Sequence, residues 1–138
     1  MDIREAWNIL KEEGFKRTKH RERILEYVAA HDRYMTALEI RDVLAADHPG
    51  ISYDTIYRNL ATFVELSILE ETELEGERHF RMQCDASAHH HHFICRICGK
   101  TETIPHCPLD LISLDLPDHS IEGHKFEVYG KCPDCLTA

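Results

Sequence analysis

The 138-residue sequence has no apolar run long enough to cross a bilayer. Its opening stretch, Met1-Asp2-Ile3-Arg4-Glu5-Ala6-Trp7, carries acids where a secretory leader needs an apolar core. Both absences point to a cytoplasmic protein with no membrane partner. No His-Glu-x-x-His run, deaminase-type Cys/His/Glu pattern or nucleophile–base pair occurs, so neither an enzyme nor a small organic substrate is expected. No internal repeat marks a solenoid. Nor is there an excess of positive charge: 16 Lys and Arg face 25 Asp and Glu, for a formal net charge of −9.

Hydrophobic residues make up 43% of the chain and charged residues 30%, the balance of a soluble globular protein rather than a disordered one. The length allows one ordinary domain or two small ones. In a reducing compartment the six cysteines are read first as metal ligands or reactive thiols, and only then as disulfides. The charge is also uneven. Lys16, Arg17, Lys19, Arg21 and Arg23 meet a single acid, Glu22, whereas Glu70, Glu71, Glu73, Glu75 and Glu77 crowd another segment. A local basic surface on an acidic chain still binds phosphate.

The first half has helical grammar. Ile3, Ala6, Trp7 and Leu10 fall at helical spacing up to Gly14. Thr18, Thr36 and Ser52 are each placed to cap a further helix, with apolar stripes through Ile24-Leu25-Val28, Ile40-Val43-Leu44 and Ile56-Leu60-Phe63. The period then changes to alternation. Segments 69–74 and 78–82 read as strands joined at Glu75-Gly76-Glu77, a hairpin signal. Helices followed by a hairpin predict a winged helix-turn-helix over residues 1–84, with the fourth helix as reader and the hairpin as wing. Residues 85–138 predict a small α/β domain. It opens on the polar stretch Asp85-Ala86-Ser87-Ala88, read as a linker or strand start. Strands follow at 91–95 and 101–104, then a short helix at 109–116 and a last strand at 125–129. The fold class is therefore α+β.

The strongest chemical signal is Cys95-Arg96-Ile97-Cys98-Gly99 paired with Cys132-Pro133-Asp134-Cys135. Two Cys-x-x-Cys knuckles supply four soft thiolates that close a tetrahedron around a structural Zn²⁺. The second signal is Cys84 with the run His89-His90-His91-His92. Strand alternation places His90 and His92 on one side and His89 and His91 on the other, making two half-sites. Cys84 adds a soft sulfur to one pair, and Glu70 on the neighbouring wing strand would complete a mixed S/N/O set suited to a regulatory Zn²⁺, with Glu71 and Glu73 close by and a solvated acid as the plainer reading. Asp110 and His124 would join His89 and His91 in a third Zn²⁺ site. For these two the plainer readings are a helix N-terminal acid and a surface histidine. Cys107 stays unpaired in this scheme: an ordinary thiol is the plainer reading, and a ligand or redox role the alternative.

For nucleic acid, the candidate reader is Ser52-Tyr53-Asp54-Thr55-Ile56-Tyr57-Arg58-Asn59-Leu60, whose N-terminal residues Asp54, Thr55, Tyr57 and Arg58 would lie at base edges in the major groove. Arg58 suits a bidentate contact to guanine and Tyr57 a thymine methyl or a phosphate. Arg17, Lys19 and Arg21 would hold the DNA backbone. Against this stand a Tyr57 packed on the core and an Arg58 that is simply solvated.

Taken together, Arg17-Thr18 to Arg21, Asp54-Thr55-Ile56-Tyr57-Arg58-Asn59-Leu60 and the run from His89 through Cys95-Arg96-Ile97-Cys98-Gly99-Lys100 resemble the ferric uptake regulator (Fur) family along essentially the whole chain. The resemblance implies a cytoplasmic homodimer that binds an inverted-repeat, double-stranded DNA operator when its sensory site holds metal. Within the family Cys84 resembles the thiolate ligand of the zinc uptake regulator (Zur) branch, and Met35 stands where iron- and peroxide-sensing relatives place a histidine. His89, His91, Asp110 and His124 resemble the family's inter-domain site, with Asp110 where Glu is common. The expected function is zinc-dependent repression of zinc uptake genes. The alternatives are an iron-, peroxide- or nickel-responsive regulator of the same family and, from another class, a zinc storage or delivery protein.

Overall fold

The structure, a computed structural model, describes residues 1–84 and 89–137. The stretch 85–88, expected to be a linker or strand start, lies outside the described residues. The chain divides into two compact units, Met1–Ala86 and Ser87–Ala138.

In the first unit four helices form where the sequence supplies both a cap and an apolar stripe. Helix α1 (Ile3–Glu12) opens on a capping box, in which the Glu5 N–H donates to Asp2 Oδ1 at 2.8 Å and the Asp2 N–H returns a bond to Glu5. Thr18 caps α2 (Lys19–Ala30) and Thr36 caps α3 (Ala37–Leu44), each hydroxyl accepting a backbone N–H at 3.2 Å. Ser52 does the same for α4 (Tyr53–Glu65) at 3.1 Å. Each such cap contributes about 1 kcal/mol. The stripes meet in one core: Ala6 and Leu10 from α1, Ile24, Leu25 and Val28 from α2, Ile40 and Leu44 from α3, and Ile56, Leu60 and Phe63 from α4. Fully burying each large apolar side chain stabilises by about 1.5–3 kcal/mol.

Beyond α4, Ser67 adopts φ 58° and the Ile68 N–H bonds back to the Phe63 carbonyl, turning the chain out of the helix. Strands β2 (Leu69–Leu74) and β3 (Glu77–Met82) pair antiparallel, with Leu74 opposite Glu77. The hairpin loop is thus Glu75-Gly76 alone, with φ 52° and 82°, the left-handed pair of a type I′ turn. A short strand β1 (Met35–Thr36), not foreseen, pairs with the other edge of β3 and gives the order β1-β3-β2. Met35 is a core residue, opposite Phe80.

The second unit is built on β4 (His91–Cys95), flanked by antiparallel β5 (Thr101–Ile104) and parallel β6 (Glu127–Gly130). A short helix α5 (Leu109–Leu114) lies between β5 and β6, and α6 (Pro133–Leu136) opens on Pro133, a favoured first residue. Its buried side chains among the described residues are few: His91, Ile94, Cys95 and Cys132. A unit with so little apolar core needs a staple, and two of those four residues are cysteines. No helix among the described residues is long and apolar enough to cross a membrane.

Candidate metal centres and nucleic-acid interface

The four knuckle cysteines converge. Cys95 ends β4 and Cys98 sits in the turn to β5, where Gly99 takes φ 77° and its N–H bonds the Cys95 carbonyl at 2.9 Å. Cys132 and Cys135 bracket the first turn of α6. Their sulfurs all lie within 4.8 Å of one another, and Cys98 Sγ is 3.7 Å from Cys132 Sγ. A zinc tetrathiolate with bonds of about 2.3 Å has sulfur–sulfur edges of about 3.8 Å. All six cysteines are free thiols.

The electrostatics fit a cation. Burial pushes the Cys95 thiol up, but the backbone N–H groups of Cys98, Cys132 and Ile97 aim at its sulfur and together bring it down to about 6. The Cys132 N–H is 3.3 Å away. Burial raises Cys98, and the hydrogen bond with Cys132 pushes Cys135 up to about 12. One thiolate is favoured by the fold itself. Clustered sulfurs resist carrying several negative charges unless a metal ion compensates them.

A second convergence lies in the same unit. The His124 Nε2 sits 3.1 Å from His89 Nε2, 3.2 Å from His91 Nε2 and 3.3 Å from Cys107 Sγ. These four donor atoms all lie within 4.8 Å of one another. Burial and the adjacent His89 and His124 imidazoles hold His91 below its ordinary value. The group that forms contains Cys107 and not Asp110. Asp110 lies exposed in the first turn of α5, outside every such group among the described residues.

The other expected ligands come as two pairs, each within its own unit. On the wing, the Cys84 thiol donates to Glu70 Oε1 at 3.5 Å. Glu70 Oε1 also faces Arg81 Nε at 3.5 Å, and Arg81 donates to Asp32 at 2.7 Å. Burial, opposed by the Arg81 charge, pushes the Cys84 thiol up to about 11. In the second unit the His90 and His92 rings stand 4.9 Å apart, edge to face. His89 and His91 are paired likewise at 4.8 Å, so the alternation expected of a strand extends through the whole run.

The reading helix is presented as the capping predicts. Arg58 is exposed and forms an i,i+4 ion pair with Asp54 at 3.4 Å. The Thr55 hydroxyl lies 2.9 Å from the Ser52 hydroxyl at the N-cap. Tyr57 is half-buried, its ring edge-to-face with Phe80 at 6.3 Å. A cleft of about 430 Å³ runs between the start of α4 and the wing, lined by Leu38, Tyr53, Tyr57 and Arg78 among others.

Of the basic entry residues, Arg21 is turned inward: it donates to the Lys16 carbonyl at 2.7 Å and to Asn59 Oδ1 at 3.3 Å. It clasps α2 to α4. Arg17 pairs with Glu22 at 3.3 Å and lies over the Trp7 ring. Lys16 and Lys19 remain exposed. Three roles were not assigned from the sequence. Arg78 holds the Tyr57 hydroxyl, Asn59 receives Arg21, and Cys107 joins the histidines. A lone cysteine and two polar residues in regular elements carry no spacing signal.

Comparison with known proteins adds the following. The sequence pattern of the Ferric uptake regulator family matches residues 12–129. A Staphylococcus aureus protein named ferric uptake regulation protein is 49% identical over 135 residues, covering 98% of both chains. The solved structure of the Helicobacter pylori ferric uptake regulator, described as having three functional metal binding sites, superposes with a TM-score of 0.72 at 19% identity, over 97% of this chain and 91% of that one. A zinc uptake regulator solved with zinc and DNA superposes with a TM-score of 0.69 at 20% identity, over 97% and 92%. At those identities the two structures establish the shared fold.

Proposed function

Because this chain belongs to the ferric uptake regulator family of metal-responsive transcriptional regulators, we propose that it is the zinc-responsive kind: a cytoplasmic homodimer that represses zinc uptake genes by binding a palindromic operator when zinc-loaded. One observation carries the choice of metal. Cys84 presents a thiol beside the Glu70 carboxylate at 3.5 Å, and His90 and His92 present two imidazoles side by side. With these four as regulatory ligands, the donor set is one sulfur, two nitrogens and one oxygen, which suits four-coordinate Zn²⁺ better than a hard six-coordinate ion. Bound there, Zn²⁺ supplies a charge that offsets the thiolate and carboxylate together. Met35, buried opposite Phe80, offers no hard donor.

Several features support the remaining parts of the reading. Residues 1–84 carry α4 and the wing, the parts of a DNA reader, with Arg58, Asp54, Thr55 and Tyr57 on the reading helix and Arg17, Lys19 and Arg21 at the entry of α2. The second unit exposes Ile97, Leu111, Ile112, Leu114, Val128 and Leu136, an apolar surface suited to a second copy of the chain. Cys95, Cys98, Cys132 and Cys135 are the structural zinc ligands of that unit.

Iron is the second reading, favoured by the name of the 49% identical relative. The deciding experiment selects a palindrome from random DNA with the metal-loaded chain. Its binding is then followed by fluorescence anisotropy at buffered free Zn²⁺, Fe²⁺, Mn²⁺ and Ni²⁺. Zinc acting at far lower free concentration than the rest upholds the proposal. Fe²⁺ acting first moves the chain to the iron reading, and binding indifferent to metal ends both.

A further inference from the structure

The cluster around His124 has a geometry that hydrogen bonding does not explain. A neutral imidazole Nε2 carries either one proton or one lone pair, so it makes one good hydrogen bond. His124 Nε2 instead has three polar neighbours, His89 Nε2 at 3.1 Å, His91 Nε2 at 3.2 Å and Cys107 Sγ at 3.3 Å. Three nitrogens and a sulfur converge more closely than one hydrogen bond per ring nitrogen can satisfy, which is the arrangement ligands take around a single metal ion. The lengths agree. A tetrahedral zinc site has nitrogen–nitrogen edges of about 3.3 Å and nitrogen–sulfur edges of about 3.6 Å.

The elements explain why these four meet. His89 and His91 share one side of the run that enters β4. His124 lies on the approach to β6, the parallel neighbour of β4, and its ring comes within 5.0 Å of both. Cys107 sits just after β5, the antiparallel neighbour, where His91 opposes Ile104. The two flanking strands therefore bring Cys107 and His124 to the same end of β4. Phe126 packs edge-on against His91 at 5.4 Å and holds that ring in place.

We propose that the third site expected from His89, His91 and His124 takes the Cys107 thiolate as its fourth ligand in place of a carboxylate from Asp110, giving a closed, four-coordinate N₃S set for a zinc-class divalent ion. The site lies wholly within the second unit and is separate from the Cys84 ligand set, so it stands or falls independently of the zinc-sensing proposal. A thiolate in the fourth position selects against hard, oxygen-preferring ions and makes occupancy sensitive to thiol-modifying reagents.

Cobalt(II) distinguishes the ligand sets, because only a thiolate ligand adds sulfur-to-cobalt charge-transfer absorption in the near ultraviolet. The full chain, with its four-cysteine site filled with zinc and the other ligand set removed by Cys84→Ser and His90→Ala, is titrated with Co²⁺ under anaerobic conditions. The expected result is a charge-transfer band that saturates with one equivalent. Adding Cys107→Ser abolishes the band and weakens that equivalent by at least about 100-fold, since losing a ligand costs more than losing a supporting partner. Cys107→Asp retains the equivalent without the band, and Asp110→Asn changes neither. A cobalt equivalent without thiolate absorption, or a band that survives Cys107→Ser, overturns the proposal. So does Asp110→Asn weakening the site as much as Cys107→Ser.

A second measurement needs no variant. Zn²⁺ added to the native chain protects Cys107 from alkylation by iodoacetamide, read by peptide mass spectrometry. Unchanged alkylation of Cys107 at saturating zinc counts equally against it.

Discussion

Arg78, on the wing strand β3, donates to the hydroxyl of Tyr57 on the reading helix at 2.6 Å, with its guanidinium 6.0 Å from the tyrosine ring centroid. The ring also rests on Phe80, so one side chain locks helix and wing together. Tyr57→Phe keeps the packing and removes the tie. It should cost under about 1 kcal/mol of stability, as expected for a partly exposed hydrogen bond. Operator affinity should still fall, because the wing is no longer held against α4. Urea denaturation and anisotropy on the same preparation test this; equal operator affinity of Tyr57→Phe and the parent chain would show that the tie is irrelevant to DNA.

Base reading and backbone holding separate by their salt and sequence dependence. Arg58→Ala should lose about 1–3 kcal/mol on the selected operator and little on unrelated DNA. Lys19→Ala should weaken both equally and lower the slope of log K against log salt by about 1. If Arg58→Ala lost affinity equally on all sequences, Arg58 would be a phosphate contact.

The second unit should depend on its cysteine site for folding. With only the side chains of His91, Ile94, Cys95 and Cys132 buried among the described residues of this unit, chelation or Cys98→Ser leaves too little core to hold β4, β5 and β6. Hydrogen exchange read by mass spectrometry should show 91–130 losing protection while α1–α4 keep theirs. Protection retained across β4 after metal removal would refute this dependence.

The Cys84 thiol gives the proposed regulatory set a defined pH response. Its value in the folded chain, about 11, lies above its ordinary 9.0. In the metal-free chain this favours the protonated thiol, a contribution fully present below pH 9 and lost as pH rises toward 11. Metal binding has the opposite sign, because the ligand is the thiolate and each ion bound expels a proton. Between about pH 7.5 and 9, below the Cys84 value, affinity at this site should rise about tenfold per pH unit. The slope should vanish in Cys84→Ser. A pH-independent affinity in the parent chain over that window would remove Cys84 from the ligand set.

The helices of the first unit were legible because their signals are local. Thr18, Thr36 and Ser52 each cap the helix they precede, and the stripes Ile24-Leu25-Val28 and Ile56-Leu60-Phe63 face the core. The Glu75-Gly76 turn was equally local, except that Glu77 belongs to the strand. Strand β1 was not legible, because two residues show no alternation; Met35 and Thr36 are extended only because β3 offers an edge. Helix α6 carried a readable sign in Pro133 that the Cys-x-x-Cys spacing overshadowed.

By itself the sequence determined helices α1–α4 and the wing hairpin, the family resemblance, the four-cysteine knuckles and the two-sided pairing of the histidine run, since each depends on residues a few positions apart. Only the tertiary structure decided which distant donors share a point. Arg21 meets Asn59, 38 positions away. Cys107 displaced Asp110 beside His124, because β5 and β6 flank β4 and carry Cys107 and His124 to the end where His91 stands, whereas the first turn of α5 leaves Asp110 in solvent. Strand order and the parallel register of β4 with β6 are set by packing across the whole unit, and no short-range pattern encodes them.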